Sequence, residues 1–184
     1  MIDLNDLRRY DLNIVKHWQQ ITEHRNRKED TVLNMKYFQY LSLLFTEIYL
    51  DWHFNRKQAL LDGLNRELAT YNSQNNATAK DRVNQFRSYI LDDLNKLAFW
   101  NATGSGKTLL LHANILQYLH YFQNGNTSHY PDKIILLTPD ERLSQQHMNE
   151  LYDSGFSHIQ LFDKSKPTPF RGTIEVIDIN KLAD

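Results

Sequence analysis

Asn101-Ala102-Thr103-Gly104-Ser105-Gly106-Lys107-Thr108 is the stretch whose residue types and spacing could do chemistry. An anion needs several backbone N–H groups aimed at one point, and glycine lets a chain turn tightly and approach closely. A helix opening at Lys107 would add its free N–H groups and the positive end of its dipole. Lys107 would reach the β- and γ-phosphates of a nucleotide as a point charge, and the Thr108 hydroxyl would ligate Mg²⁺. The strict pattern G-x-x-x-x-G-K-[ST] has glycine where this chain has Asn101, but the turn proper falls on Gly104 and Gly106. Thr103, Gly104, Ser105, Gly106, Lys107 and Thr108 are therefore the expected nucleotide-binding residues, with Lys107 in the catalytic role and Thr108 on the metal. The competing reading is a Gly-Ser turn whose helix happens to start with lysine.

Other constellations are weaker. The chain has no cysteine, which excludes disulfides, thiolate metal sites and cysteine nucleophiles. Its eight histidines are scattered and form no recognised ligand spacing; His112 and His120 sit eight apart on one expected helix without carboxylate partners. With 21 basic and 22 acidic residues, overall charge argues neither for nor against a nucleic-acid partner. No apolar leader core opens the sequence, and no run approaches the roughly 18 apolar residues of a membrane span. A soluble, cytoplasmic protein with no membrane partner is expected.

A chain of 184 residues is long enough for a real core, burying roughly 70% of the extended surface. All four prolines lie after residue 130, and the first hundred residues read as helices. Met35 to about Thr70 carries apolar residues at helical spacing: Phe38, Leu41, Phe45, Ile48, Trp52, Leu60, Leu64 and Leu68. The aromatic residues here, with Trp18, Tyr37, Tyr40, Tyr49 and Phe54, are expected to form a helical core. After a polar loop (71–79), Thr78 to Asp81 resembles a capping box opening a helix with the stripe Val83, Phe86, Ile90 and Leu94.

From Asn95 onward the grammar changes. "KLAFW", "KIILLT", "HIQLF" and "GTIEVIDI" read as strands, and "KTLLLHANILQYLHYF" and "DERLSQQHMNELYDSG" as helices, the latter closed by Gly155 as the residue after the cap. Alternation with short connections is the pattern of a parallel α/β sheet. The expected division is a helical region over residues 1–95 and an α/β nucleotide-binding unit over 96–184.

"NATGSGKT" resembles motif I of superfamily 2 helicases and translocases, most closely the branch of type I and type III restriction motor subunits. "IILLTPDERLSQQHMNEL" resembles motif Ia of that group, where the strand end touches the sugar-phosphate backbone. By position the contacts would fall on Thr138, Pro139, Arg142 and Gln146. An alternative for the same residues is helix capping, with Thr138 as N-cap, Pro139 at the first helical position and Glu141 completing a capping box. "MKYFQYLSLLFTE" is similar to the glutamine-bearing element upstream of motif I; the resemblance implies that Gln39 reads the adenine edge and that Tyr37 or Phe38 walls in the base. An ordinary amphipathic helix would carry such a glutamine equally well.

Asp140 and Glu141 are separated from their strand by Thr-Pro, and Asp178 is not followed by glutamate, so no Asp-Glu metal motif is read. The resemblance implies an incomplete RecA-like first lobe, a parallel-sheet P-loop unit of an ATP- and Mg²⁺-dependent helicase or translocase. This chain would be its N-terminal piece, inactive alone. Double-stranded DNA and modification or specificity subunits are the implied partners, in a restriction or phage-defence system. Two alternatives stay open. One is a small-molecule P-loop kinase, for which Lys164, Lys166 and Arg171 are the only late basic cluster; the other is a nucleotide-binding module without turnover.

Overall fold

The computed structural model describes residues 2–75, 86–125, 130–166 and 170–182. Three long helices come first: α1 (Leu4–Glu29), α2 (Tyr37–Asn55) and α3 (Lys57–Asn75). Asp3 caps α1 by accepting the Asp6 N–H at 2.8 Å, and Asp30 ends it in a left-handed conformation. The apolar run expected over 35–70 breaks at Arg56 into α2 and α3.

An α/β unit follows: α4 (Lys107–Asn124), β1 (Lys133–Thr138), α5 (Glu141–Asp153), β2 (Ile159–Leu161) and β3 (Thr173–Asp178). The three strands are parallel in the order β1-β3-β2, with Ile134 opposite Ile174 and Leu136 opposite Val176. β3, central and flanked on both edges, is buried along its whole length. Its Glu175 is held across the sheet by Lys133 Nζ (3.0 Å) from β1 and Gln160 Nε2 (2.8 Å) from β2. α5 closes as expected at Gly155 (φ +80°). The Gly155 N–H donates to Tyr152 O and the Phe156 N–H to Leu151 O, the paired bonds of a Schellman end.

α4 belongs to two cores. Leu110 and Ala113 pack with Ile14, Trp18, Ile21 and Leu43 of α1 and α2. Ile115, with Leu111 and Leu119, packs with Leu151, Ile174 and Val176 between α5 and the sheet. The helix that would hold phosphate is thereby fixed from both sides. Between α2 and α4 lies a buried polar knot: Glu47 accepts from Gln117 Nε2 (2.9 Å) and Tyr121 Oη (2.6 Å), and Gln117 Nε2 also donates to Leu43 O. Burial pushes the Glu47 carboxyl above its ordinary range despite these donors.

Three expectations are corrected. Residues 86–90 are extended rather than helical, followed by a 3-10 turn over Leu91–Asn95. Two asparagines on α3 hold them so. Asn72 brackets the backbone of Phe86, donating to its O (2.9 Å) and accepting its N–H (3.3 Å); Asn65 does the same at Tyr89 (3.0 and 2.7 Å). Side-chain amides thus satisfy backbone groups that a helix would have used. The capping box at Thr78–Asp81 and the stripe residue Val83 lie outside the described residues. Of the expected stripe, Leu94 is buried while Phe86 and Ile90 are exposed.

"KLAFW" forms no strand: residues 96–100 are unpaired, with Leu97 and Phe99 about half exposed and Trp100 fully so. The chain is held beside α2 instead, through Tyr49 Oη donating to Leu94 O (2.7 Å) just before this segment. Leu97 and Phe99 line a groove of about 520 Å³ with Phe38 and Phe45 of α2. The helical aromatics are likewise only partly core: Trp18 is buried, whereas Tyr37, Phe38 and Phe45 are exposed.

Candidate nucleotide-binding site

Residues 101–106 turn from the extended segment into α4. Gly104 (φ +75°) and Gly106 (φ +80°) both lie in the left-handed region, where a side chain costs about 1–2 kcal/mol. Asn101 does not, so the glycine of the strict pattern is not demanded by the backbone there. A Cβ on Gly104 would meet open space; one on Gly106 would lie 2.7 Å from Gln39 Nε2. Ser105 N–H closes the turn on Ala102 O at 3.3 Å.

α4 starts with Gly106 as its N-cap, with no side-chain cap and no acidic residue in its first turn. Its first N–H groups therefore lack the side-chain acceptor that usually satisfies them. Lys107 is exposed and its Nζ lies back on the carbonyls of Asn101 (3.2 Å) and Ala102 (3.0 Å). These are neutral acceptors, which a phosphate oxygen would outbid by charge. Thr108 is half-buried in the same first turn. Ser105 Oγ is buried without a hydrogen-bond partner. Uncapped N–H groups, an exposed lysine and an orphaned hydroxyl on one turn fit a triphosphate. Among the described residues no group of three His, Asp or Glu side chains could hold a metal ion. Thr108 is the side chain on this turn whose hydroxyl would hold Mg²⁺ together with the phosphates.

Gln39, expected beside the base, stands at the third position of α2 and is 6% exposed. Its Oε1 accepts the Lys36 N–H and its Nε2 donates to Ser105 O, both at 2.9 Å. The groove lined by Phe38, Phe45 and Phe99 runs to Asn101, where the loop begins; Tyr37 stands exposed beside Phe38.

The residues of "TPDERLSQQ" lie elsewhere, at the C-terminal end of β1. Thr138 is 3% exposed, its hydroxyl shared among Ser144 Oγ (2.6 Å), Asp140 O (3.2 Å) and Ile177 O (3.3 Å). Thr138 is not the helix cap: Asp140 takes that place, accepting the Leu143 N–H at 2.8 Å, two residues later than expected. The Pro139 carbonyl accepts from Asn180 Nδ2 (3.2 Å), and Asp178 Oδ1 accepts from Asn180 as well, tying β1 to the end of β3. Arg142 and Gln146 are exposed one turn apart on α5, Gln146 reaching Glu150 Oε1 at 3.2 Å. No hydrogen bond among the described residues links these four positions to the loop at Gly104–Thr108.

His112 and His120 do not share a site: His112 Nδ1 pairs with Ser154 Oγ (2.8 Å), and His120 stands against Asn13 and His17. Burial lowers His112 and His17 to about 4 each. Lys166 pairs with Asp163 and Arg171 with Asp132. No helix among the described residues is long and apolar enough to cross a membrane.

Residues 66–177 match the family described as type III restriction enzyme, res subunit, a stretch running from within α3 to β3 and including the whole glycine turn and α4. No curated protein and no solved structure matches the chain. The family is superfamily 2 helicase-like, and the parallel sheet with its preceding helices is the RecA-like α/β arrangement expected of it. The match spans well over half of the 184 residues, and the chain belongs to the type III restriction enzyme res subunit family.

Proposed function

We propose that this chain is the ATP-binding portion of a DNA-dependent ATPase, a helicase or translocase of a restriction or phage-defence system. The observation that carries it is the turn at Gly104–Gly106, which delivers an exposed Lys107 and an uncapped helix N-terminus to one point. The β- and γ-phosphates would be held by the loop N–H groups and Lys107, and Mg²⁺ by Thr108. The base would lie along the apolar groove at Phe38 and Phe99. Thr138 and Pro139 would place the carbonyl end of β1, and Arg142 and Gln146 on α5 would meet the sugar-phosphate backbone of double-stranded DNA. Asp140 and Glu141 beside them favour positioning over strong attraction.

Hydrolysis needs a group that orients water and added charge on the γ-phosphate. Asp140 is spent on capping and Asp178 on Asn180, so neither supplies it. We assign that chemistry to groups of the motor other than these two carboxylates. The test is steady-state ATP hydrolysis by the natural protein, with and without double-stranded DNA. Stimulation by DNA of about tenfold or more, corresponding to at least ~1.4 kcal/mol of barrier, is expected. Turnover indifferent to DNA, with phosphate passed to a small acceptor, would instead support a kinase.

A further inference from the structure

Gln39 and Ser105 are 66 positions apart, yet they share a buried hydrogen bond of 2.9 Å. An amide side chain reads a base edge by offering a donor and an acceptor together. Both ends of this amide already face backbone: Oε1 takes the Lys36 N–H, and Nε2 is on the Ser105 carbonyl. The next residue, Gly106, packs so closely that an added Cβ would fall 2.7 Å from Nε2. In a planar trans peptide the C=O and the following N–H point opposite ways. Holding the Ser105 carbonyl toward α2 therefore aims the Gly106 N–H out of the other side of the turn. α2 is a firm base for this, since Leu43 packs on Leu110 and Gln117 of α4 bonds both Leu43 O and Glu47.

We propose that Gln39 is a positioning residue of the phosphate loop: it fixes the orientation of the Ser105–Gly106 peptide and acts on the phosphate end of the nucleotide, not on the base. The inference rests on the phosphate-loop reading above. It makes nucleotide affinity depend on Gln39 without making adenine selectivity depend on it. Gly106 and Gln39 form one unit, so their substitutions are not additive.

The test is calorimetric titration of the whole chain with Mg·ATP, Mg·GTP and Mg·tripolyphosphate. Gln39→Met fills the same volume without a donor. Gln39→Glu keeps the acceptor for Lys36 N–H but loses the donor to Ser105, so α2 stays capped should the methionine variant fold poorly. Both variants are expected to lose affinity for all three probes in the same proportion, by about fivefold, the factor of one ordinary hydrogen bond. Gln39→Met added to Gly106→Ala is expected to cost little beyond Gly106→Ala alone. A loss confined to ATP would make Gln39 a base reader and overturn the proposal, as would unchanged affinity for every probe. Failure of the unaltered chain to bind any of the three would overturn the phosphate-loop reading itself, and the inference with it.

Discussion

Gly104 and Gly106 have the same backbone conformation but different surroundings, and their substitutions should differ accordingly. Gly104 faces open space, so Gly104→Ala meets only the left-handed backbone cost, about 1–2 kcal/mol. Asparagine visits that conformation more readily, so Gly104→Asn should keep more ATP affinity than Gly104→Ala at similar thermal midpoint. Equal loss in both variants, measured by titration, would show that the side chain rather than the backbone decides. Asn101 illustrates the same reasoning in reverse: it departs from the strict motif, and its backbone lies outside the left-handed region, so nothing there demands glycine.

At the scale of elements, short apolar runs located β1, β2 and β3, helical period located α4 and α5, and Gly155 marked the end of α5, while the cap of α5 was expected at Thr138 and falls on Asp140. The segment 86–90 was not legible. Its stripe Phe86, Ile90 and Leu94 has helical spacing, but the deciding groups are Asn65 and Asn72, which sit on another helix. "KLAFW" fails for a related reason, since a strand exists only where a partner edge accepts it. The Gln39–Ser105 bond was equally hidden, being a contact between distant segments that no local pattern encodes. The asparagine account predicts that Asn65→Ala and Asn72→Ala each cost about 0.5–1.5 kcal/mol in urea unfolding. Each should also speed hydrogen exchange at the amide it covers, Tyr89 or Phe86. Unchanged exchange at both amides would remove the asparagines from that role.

For the whole molecule, α4 joins the helical layer to the sheet, and buried polar groups on α1, α2 and α4 give the joint a pH dependence. His17 and His112 stay neutral until about pH 4 in the folded chain, against an ordinary 6.5. The unfolded chain binds protons that the folded chain refuses, so stability present above about pH 6.5 falls as pH drops and levels off below about 4. Glu47 has the opposite sign: its raised value favours the folded chain as it protonates and offsets part of the fall at the acid end. The net expectation is a thermal midpoint that declines from pH 7 to 4.5, and declines less in His112→Asn, whose amide can still meet Ser154. A midpoint flat across that range in the unaltered chain would contradict the buried neutral histidines.

The proposed function turns on one claim, that Lys107 and its turn hold the triphosphate of Mg·ATP. Equilibrium binding of Mg·ATP to the unaltered chain and to Lys107→Ala tests it most directly, with circular dichroism confirming that both are folded. Saturable, Mg²⁺-dependent binding that falls at least about tenfold in Lys107→Ala, as expected for a lost charge-assisted contact, is the predicted result. Equal binding by the two proteins, or none by either, would contradict it.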